Sequence, residues 1–273
     1  MTPPRALALL VGVALAGSAC ATAGGSSADV VGANPNPVDG EIASDPQKVY
    51  DRGVAELKDG NYLEAQRFLE HVTNKFPFSQ YAVLAELALA DNDFDHEKFA
   101  EAADSYAKFA KLHPTHAKAD YAAYRAALCH YRQMPADIVI FPPAYEKDQA
   151  QARAALVALD GFIAEFPSSS YAKDAHDKAQ DVRTRLAHHE DYVGNFYFKR
   201  GQCRASLGRY EGLLRDYAGL GFDEDALFRV GTCAAQLGDK ERARTALQQL
   251  EKLFPATHHK AEADALLSGA LKS

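Results

Sequence analysis

The 273-residue chain carries 30 basic and 37 acidic residues, a net charge of −7 that argues against a basic face for nucleic acid. Alanine is abundant, tryptophan is absent, and Leu, Glu, Lys and Arg fill long stretches without proline, which favours helix; no convincing alternating strand is found. No membrane-length apolar run follows the first twenty positions, and the remainder is long enough to bury a sizeable core in one or two units.

Residues 1–19 read as an export signal: Met1-Thr2-Pro3-Pro4-Arg5, an apolar run over 6–16, then Gly17-Ser18-Ala19 before Cys20. The run is too short to span, because a transmembrane helix needs about 20 apolar residues. Small residues at 17 and 19 directly before a cysteine resemble the bacterial lipobox. That resemblance implies lipidation of Cys20, with a diacylglycerol on the thiol and an acylated amino end, and several chains hold lastingly where one alone is marginal. Ala21 rather than Asp follows the cysteine, which by similarity to lipoprotein sorting rules implies the outer membrane. Residues 20–45, with Gly24-Gly25-Ser26-Ser27 and Asn34-Pro35-Asn36-Pro37, read as lipidated Cys20 plus a flexible tether of about 25 to 30 Å mean reach. The folded body then faces the periplasm. Cys129, Cys203 and Cys233 remain, an odd number for an oxidising compartment, and Cys129 and Cys233 fall in helical apolar patterns as small hydrophobes.

Beyond residue 45 the chain repeats itself. Gly53, Gly60, Ala65, Leu69, Val72 and Pro77 recur as Gly231, Gly238, Ala243, Leu247, Leu250 and Pro255, each shifted by 178 positions. A small residue midway along a first helix and an alanine early in a second let two helices cross closely. Gly60 and Gly238 supply the left-handed conformation that ends the first helix, and the proline closes the second. The same ending marks the units between: Lys75-Phe76-Pro77, Leu112-His113-Pro114, Glu165-Phe166-Pro167, a decayed Asp216-Tyr217-Ala218, and Leu253-Phe254-Pro255. Their spacings are 37, 53, 51 and 37 residues, against about 34 for an ideal tetratricopeptide (TPR) repeat, so the third and fourth units carry extra material. In the third, Met134-Pro135 stops a helix and Ile138-Val139-Ile140-Phe141-Pro142-Pro143 forms an apolar loop, equally a partner contact or a fold-back onto the repeats; helix resumes near Lys147 or Asp148. In the fourth, one helical pattern runs from Tyr171 to about His189 and a second begins near Asp191.

The expected architecture is therefore all-α, a TPR superhelix of about five helix-pair units whose groove binds peptides or helices. Units one and two and the start of the third occupy 46–134, an inserted loop 135–148, and the C-terminal units with a capping helix 149–273. Chemistry is hard to find. His188-His189 and His258-His259 are adjacent pairs expected to point to different helix faces, and His113 and His116 bracket a proline turn, so no metal site is expected. There is no Gly-x-Ser-x-Gly elbow, phosphate loop or His-Glu-x-x-His motif, and neither catalytic residues nor a cofactor are expected.

Outside the packing positions that every TPR shares, the first unit carries Leu57-Lys58-Asp59-Gly60-Asn61-Tyr62 and Lys75-Phe76-Pro77-Phe78-Ser79-Gln80-Tyr81. The second ends in Leu112-His113-Pro114-Thr115-His116, then Asp120-Tyr121 and Tyr124, and the third resumes at Ala152-Arg153-Ala154-Ala155. The fourth holds Arg209-Tyr210-Glu211-Gly212-Leu213-Leu214-Arg215-Asp216-Tyr217. Taken in order, these segments resemble the BamD family, TPR lipoproteins of the bacterial β-barrel assembly machinery, whose Arg-x-Glu-Gly element the last one matches. The resemblance implies a non-enzymatic outer-membrane scaffold that holds the barrel-inserting subunit through that subunit's periplasmic repeat domains, beside other assembly lipoproteins, and engages unfolded outer-membrane proteins. It implies client-peptide binding at Tyr50, Phe76, Pro77, Phe78 and Tyr81, with ordinary packing between units an equal reading for Phe76 and Phe78. It also implies a barrel-subunit interface at Arg209, with Glu211 and Arg215 beside it. The alternative is another envelope TPR lipoprotein, such as a secretin pilot or a coordinator of cell-wall remodelling.

Overall fold

The computed structural model describes residues 41–136 and 142–270; the export signal, Cys20, most of the tether and the loop tip at 137–141 lie outside the described residues. Five helix pairs follow one another: α1 (Pro46–Lys58) with α2 (Tyr62–Lys75), α3 (Gln80–Asp95) with α4 (Phe99–Leu112), α5 (Ala119–Arg132) with α6 (Ala150–Glu165), α7 (Ala172–Lys199) with α8 (Cys203–Asp216), and α9 (Asp223–Gln236) with α10 (Lys240–Leu253). A terminal helix, α11 (Lys260–Ala270), covers α9 and α10. Each helix packs on the next in the chain, the arrangement of a TPR array. No helix among the described residues is long and apolar enough to cross a membrane.

The end of the expected tether is structured. Residues Glu41–Ser44 form a 3-10 turn, the Ala43 carbonyl lies 3.0 Å from His71 Nε2, and the Asp45 carboxylate caps α1 by accepting from the Gln47 and Lys48 N–H groups at 3.0 and 3.3 Å.

The repeated residues sit where their chemistry is needed. A Cβ placed on Gly53 would lie 2.9 Å from Leu69 Cγ, and one on Gly231 2.6 Å from Leu247 Cγ, so each glycine admits the leucine of its partner helix. Gly60, Gly201 and Gly238 end α1, α7 and α9 in the left-handed conformation, with φ of 76°, 68° and 79°, and Glu97 takes the same place after α3 at φ 60°. Gly201 belongs to a set missed in the sequence. Gly194, Gly201, Ser206, Tyr210 and Leu213 stand 37 positions before Gly231, Gly238, Ala243, Leu247 and Leu250. A Cβ on Gly194 would lie 2.9 Å from the Tyr210 ring, so this glycine admits the tyrosine, and Ser206, buried in the alanine position, donates to the Gly194 carbonyl at 3.0 Å.

The fourth unit is not split near His189. Helix α7 runs unbroken for 28 residues because neither proline nor glycine interrupts it before Gly194, while Leu186 and Ala187 on one side and Gly194 on the other anchor it across the less buried polar stretch between them. In the third unit the extra residues form the loop, and helix resumes at Ala150. Gln149 Nε2 fastens the segment by donating to the Ala144 and Lys147 carbonyls, both at 2.7 Å. The loop's flanks fold onto α7: Arg185 donates to the Pro135 carbonyl at 2.8 Å, and His189 Nδ1 lies 2.6 Å from the Tyr145 carbonyl.

Polar hubs recur between units. Arg125 on α5 lies 3.7 Å from the Phe94 ring centre and donates to the Tyr106 hydroxyl at 3.0 Å; Arg229 on α9 stands likewise over Phe198 and donates to the Tyr210 hydroxyl. Tyr106 and Tyr121 both donate to Asp91, at 2.5 and 2.7 Å, while Tyr124 and Tyr131 on α5 donate to Asp174 and Asp181 on α7. These hydroxyls fasten α3 to α5 and α5 to α7.

Candidate functional site

Helix α8 buries Cys203, Ser206, Leu207, Tyr210 and Leu213 and turns its other face outward. That face presents Arg204, Ala205, Gly208, Arg209, Gly212, Arg215 and Asp216, residues spaced three or four apart as one side of a helix requires. With Arg153 from α6, Glu190 and Tyr197 from α7, and Tyr217, they line an open groove. A Cβ on Gly208 would meet nothing within 4 Å, and one on Gly212 only Arg215 Nη2 at 3.9 Å. A glycine inside a helix costs about 1 kcal/mol relative to alanine, and nothing among the described residues fills the space these two leave. The backbone is bare there.

Arg209 Nη1 lies 3.0 and 3.4 Å from the two oxygens of Glu190, a side chain only 16% exposed, and Arg153 Nη2 lies 3.7 Å from the same carboxylate. Glu190 therefore sets the Arg209 fork across the groove floor. Arg215 forms a two-bond pair with its neighbour Asp216, at 2.8 and 2.7 Å, which holds the Asp216 carboxyl below the usual range. Burial, then the charge of Glu190, pushes the Tyr217 hydroxyl up. Four arginines against two carboxylates make the groove cationic on a chain whose net charge is −7.

Of the three residues singled out for the C-terminal interface, the structure brings Arg209 and Arg215 together but not Glu211. Glu211 points toward α10, with Arg242 Nε 3.6 Å from its carboxylate. Sequence reasoning missed Arg204, Gly208, Arg153 and Glu190 as members of the site. The first two were visible as one helical face with Arg209; the other two arrive from α6 and α7 through tertiary packing, for which there was no signal.

The N-terminal aromatics divide. Tyr50 on α1 and Tyr81 on α3 pack against the first unit's core with ring centres 5.9 Å apart. Burial, then Asp51 and Asp91, raises the Tyr50 hydroxyl pKa. Phe76 caps α2 through its N–H to the Val72 carbonyl at 2.9 Å, and its half-buried ring lies 6.0 Å from His71. Phe78, by contrast, is 102% exposed beside the exposed Pro77, so the packing reading fails for it.

Cys129, Cys203 and Cys233 are buried free thiols. His258 and His259 do not point apart on a helix as expected. They lie in the turn before α11, and both face Asp225.

The family model of the YfiO outer membrane lipoproteins matches residues 42–250. A Caulobacter vibrioides protein named outer membrane protein assembly factor BamD is 29% identical over 220 residues, 81% of this chain and 70% of its own length. The protein of the same name from Neisseria meningitidis serogroup A is 27% identical over 255 residues, 92% of either chain. Among solved structures, a thermophilic TPR protein of Thermus thermophilus aligns at 15% identity over 83% of this chain and 98% of its own, with a TM-score of 0.33.

Proposed function

The chain belongs to the YfiO family of outer membrane lipoproteins, and on that premise we propose that it is a non-enzymatic scaffold for assembling outer-membrane β-barrels. Relatives that cover most of the chain and are named for this role support the reading. Cys20 carries the lipid that holds the protein in the outer membrane's inner leaflet, and the repeats face the periplasm.

The observation that carries the partner assignment is the α8 groove. Helix α8 offers bare backbone at Gly208 and Gly212, flanked by Arg204, Arg209 and Arg215, with Arg209 preset by Glu190. A backbone that another chain can approach closely, ringed by arginine forks, suits an acidic edge of the barrel-inserting subunit's periplasmic domains. At the other end, the exposed Phe78 lies three positions before Tyr81, whose ring pairs with Tyr50, and these aromatics suit the terminal segments of unfolded outer-membrane proteins. Other assembly lipoproteins bind the remaining faces.

Affinity purification of the tagged full-length protein from detergent-solubilised envelopes, wild type beside Arg209→Glu, tests this reading. A barrel subunit with periplasmic repeat domains accompanies the wild type and is depleted from the variant. Recovery of a secretin or of cell-wall enzymes, with no barrel subunit in either sample, would reject it.

A further inference from the structure

Far along the chain from α8's cationic face, the turn between α10 and α11 sets two consecutive imidazoles against the first turn of α9. His259 Nε2 lies 2.6 Å and His258 Nε2 3.6 Å from one oxygen, Asp225 Oδ1, and a ligand atom from each of the three residues falls within 4.8 Å of the others. Both rings are held. His259, 15% exposed, stacks on Phe228 with ring centres 3.9 Å apart and planes within 4°. His258 Nδ1 lies 3.1 Å from Glu224 Oε1, which also accepts from Thr257 Oγ1 at 2.6 Å and from the His258 N–H at 3.3 Å.

A carboxylate on Nδ1 draws the ring proton there and leaves the Nε2 lone pair aimed at Asp225. This carboxylate–histidine pairing is the one that orients imidazoles for metal ions. In a neutral cluster the His258 lone pair would face a carboxylate oxygen, acceptor against acceptor, an arrangement that wants a cation between them. We propose that Asp225, His258 and His259 form a site for a divalent transition metal of the zinc class, oriented by Glu224, which pins α11 to α9. Two imidazole nitrogens and one carboxylate oxygen suit zinc, copper or nickel, whereas calcium and magnesium call for oxygen ligands. At zinc–ligand lengths of about 2.0 to 2.1 Å, tetrahedral donors stand about 3.3 Å apart. The His258–Asp225 separation is near that value, and His259 must swing outward by a fraction of an ångström while its proton moves to Nδ1. Arg229 Nη2, 3.9 Å from Asp225 Oδ2, occupies the other carboxylate oxygen and leaves one for the metal. The exposed His258, at 69%, gives the ion a way in and leaves the fourth position to water.

The site owes nothing to the scaffold reading and stands or falls by itself. Its test is a titration of Zn2+ into the full-length, chelator-stripped protein, carrying a tag without histidine, against a chromophoric chelator at neutral pH. We expect a single tight equivalent. His258→Ala and Asp225→Asn weaken it by at least about 100-fold, and Glu224→Gln by about 10-fold, as outer carboxylates do. His258 is exposed, so its removal leaves the helical circular dichroism unchanged, and Zn2+ raises the thermal midpoint of the wild type but not of that variant. Absence of a stoichiometric equivalent, or undiminished affinity in both ligand variants, overturns the site and leaves a hydrogen-bonded histidine pair.

Discussion

Replacing Gly231 by alanine asks directly how closely the paired helices must approach. The added Cβ would lie 2.6 Å from both Cγ and Cδ2 of Leu247, nearer than carbon atoms tolerate, and Leu247 is only 1% exposed with no room to withdraw. Overpacking of a full core costs about 1 to 3 kcal/mol, while alanine regains about 1 kcal/mol of helix propensity. With two carbons at 2.6 Å the clash belongs to the upper part of that range, about 2 to 3 kcal/mol, so the net expectation is a loss of about 1 to 2 kcal/mol. Gly53→Ala is milder, because its contacts to Leu69 begin at 2.9 Å. Gly208→Ala reverses the sign: with nothing within 4 Å, propensity acts alone and the variant gains up to about 1 kcal/mol. Urea denaturation followed by circular dichroism reads all three as shifts in midpoint at unchanged slope. A double-mutant cycle sharpens the result. Leu247→Ala alone costs about 2 to 5 kcal/mol, and less beside Ala at 231, whose methyl enters the vacated space, so the two changes fail to add. A Gly231→Ala protein as stable as wild type, or strict additivity, would refute the close-approach argument.

Three further outcomes follow from the same packing. Burial pushes the Cys129 and Cys233 thiols up to about 12, so a maleimide at mildly alkaline pH should leave both unmodified in the native protein and label both in guanidinium, as peptide mass spectrometry resolves. Removing the Arg125 hub leaves Asp91 facing two tyrosines without its cation; Arg125→Ala should lower stability by about 2 to 4 kcal/mol, and Arg125→Lys should restore little because a compact ammonium cannot span Phe94, Tyr106 and Asp91 together. Burial raises the Asp191 carboxyl above its ordinary value against the pull of Arg229 and Tyr210. A raised folded pKa gives stability that is full below the unfolded value of about 4 and is lost as pH rises through the folded one, so the thermal midpoint of Asp191→Asn relative to wild type should climb over that window. A flat or falling difference would contradict the assignment.

Much of the fold was readable because its rules act locally. Gly53 with Leu69 and Gly231 with Leu247 announce themselves as a pattern since both ends of each contact are fixed residue types at fixed spacing. The fourth unit hid for a physical reason. Its close contact uses Tyr210 where the others use leucine, Ser206 replaces alanine and repairs the polarity through the Gly194 carbonyl, and Ala218 stands where Pro255 closes the last unit. Polar residues from His188 to Asp191 then looked like a break, although a helix ends for want of satisfied backbone or by glycine and proline, not by polarity. The site was legible only in part. Arg209 stood out through its Arg-x-Glu-Gly setting, yet its acceptor Glu190 lies 19 positions earlier on another helix, and Glu211, beside it in sequence, faces away. The histidine pair was misjudged because adjacent residues diverge on a helix, whereas these two lie in a turn that lets both imidazoles reach one carboxylate.

The claim on which the scaffold reading most depends is that α8's cationic face docks the barrel-inserting subunit. The direct measurement is the affinity of the purified protein for that subunit's periplasmic domains, comparing wild type with Gly212→Leu, which fills the bare backbone without touching charge, and with Arg209→Glu. Interface anchors of this kind are worth about 2 kcal/mol or more, so each variant should bind at least about tenfold more weakly, with α-helical content unchanged and the arginine variant alone losing salt dependence. Equal affinity of all three proteins would contradict the account.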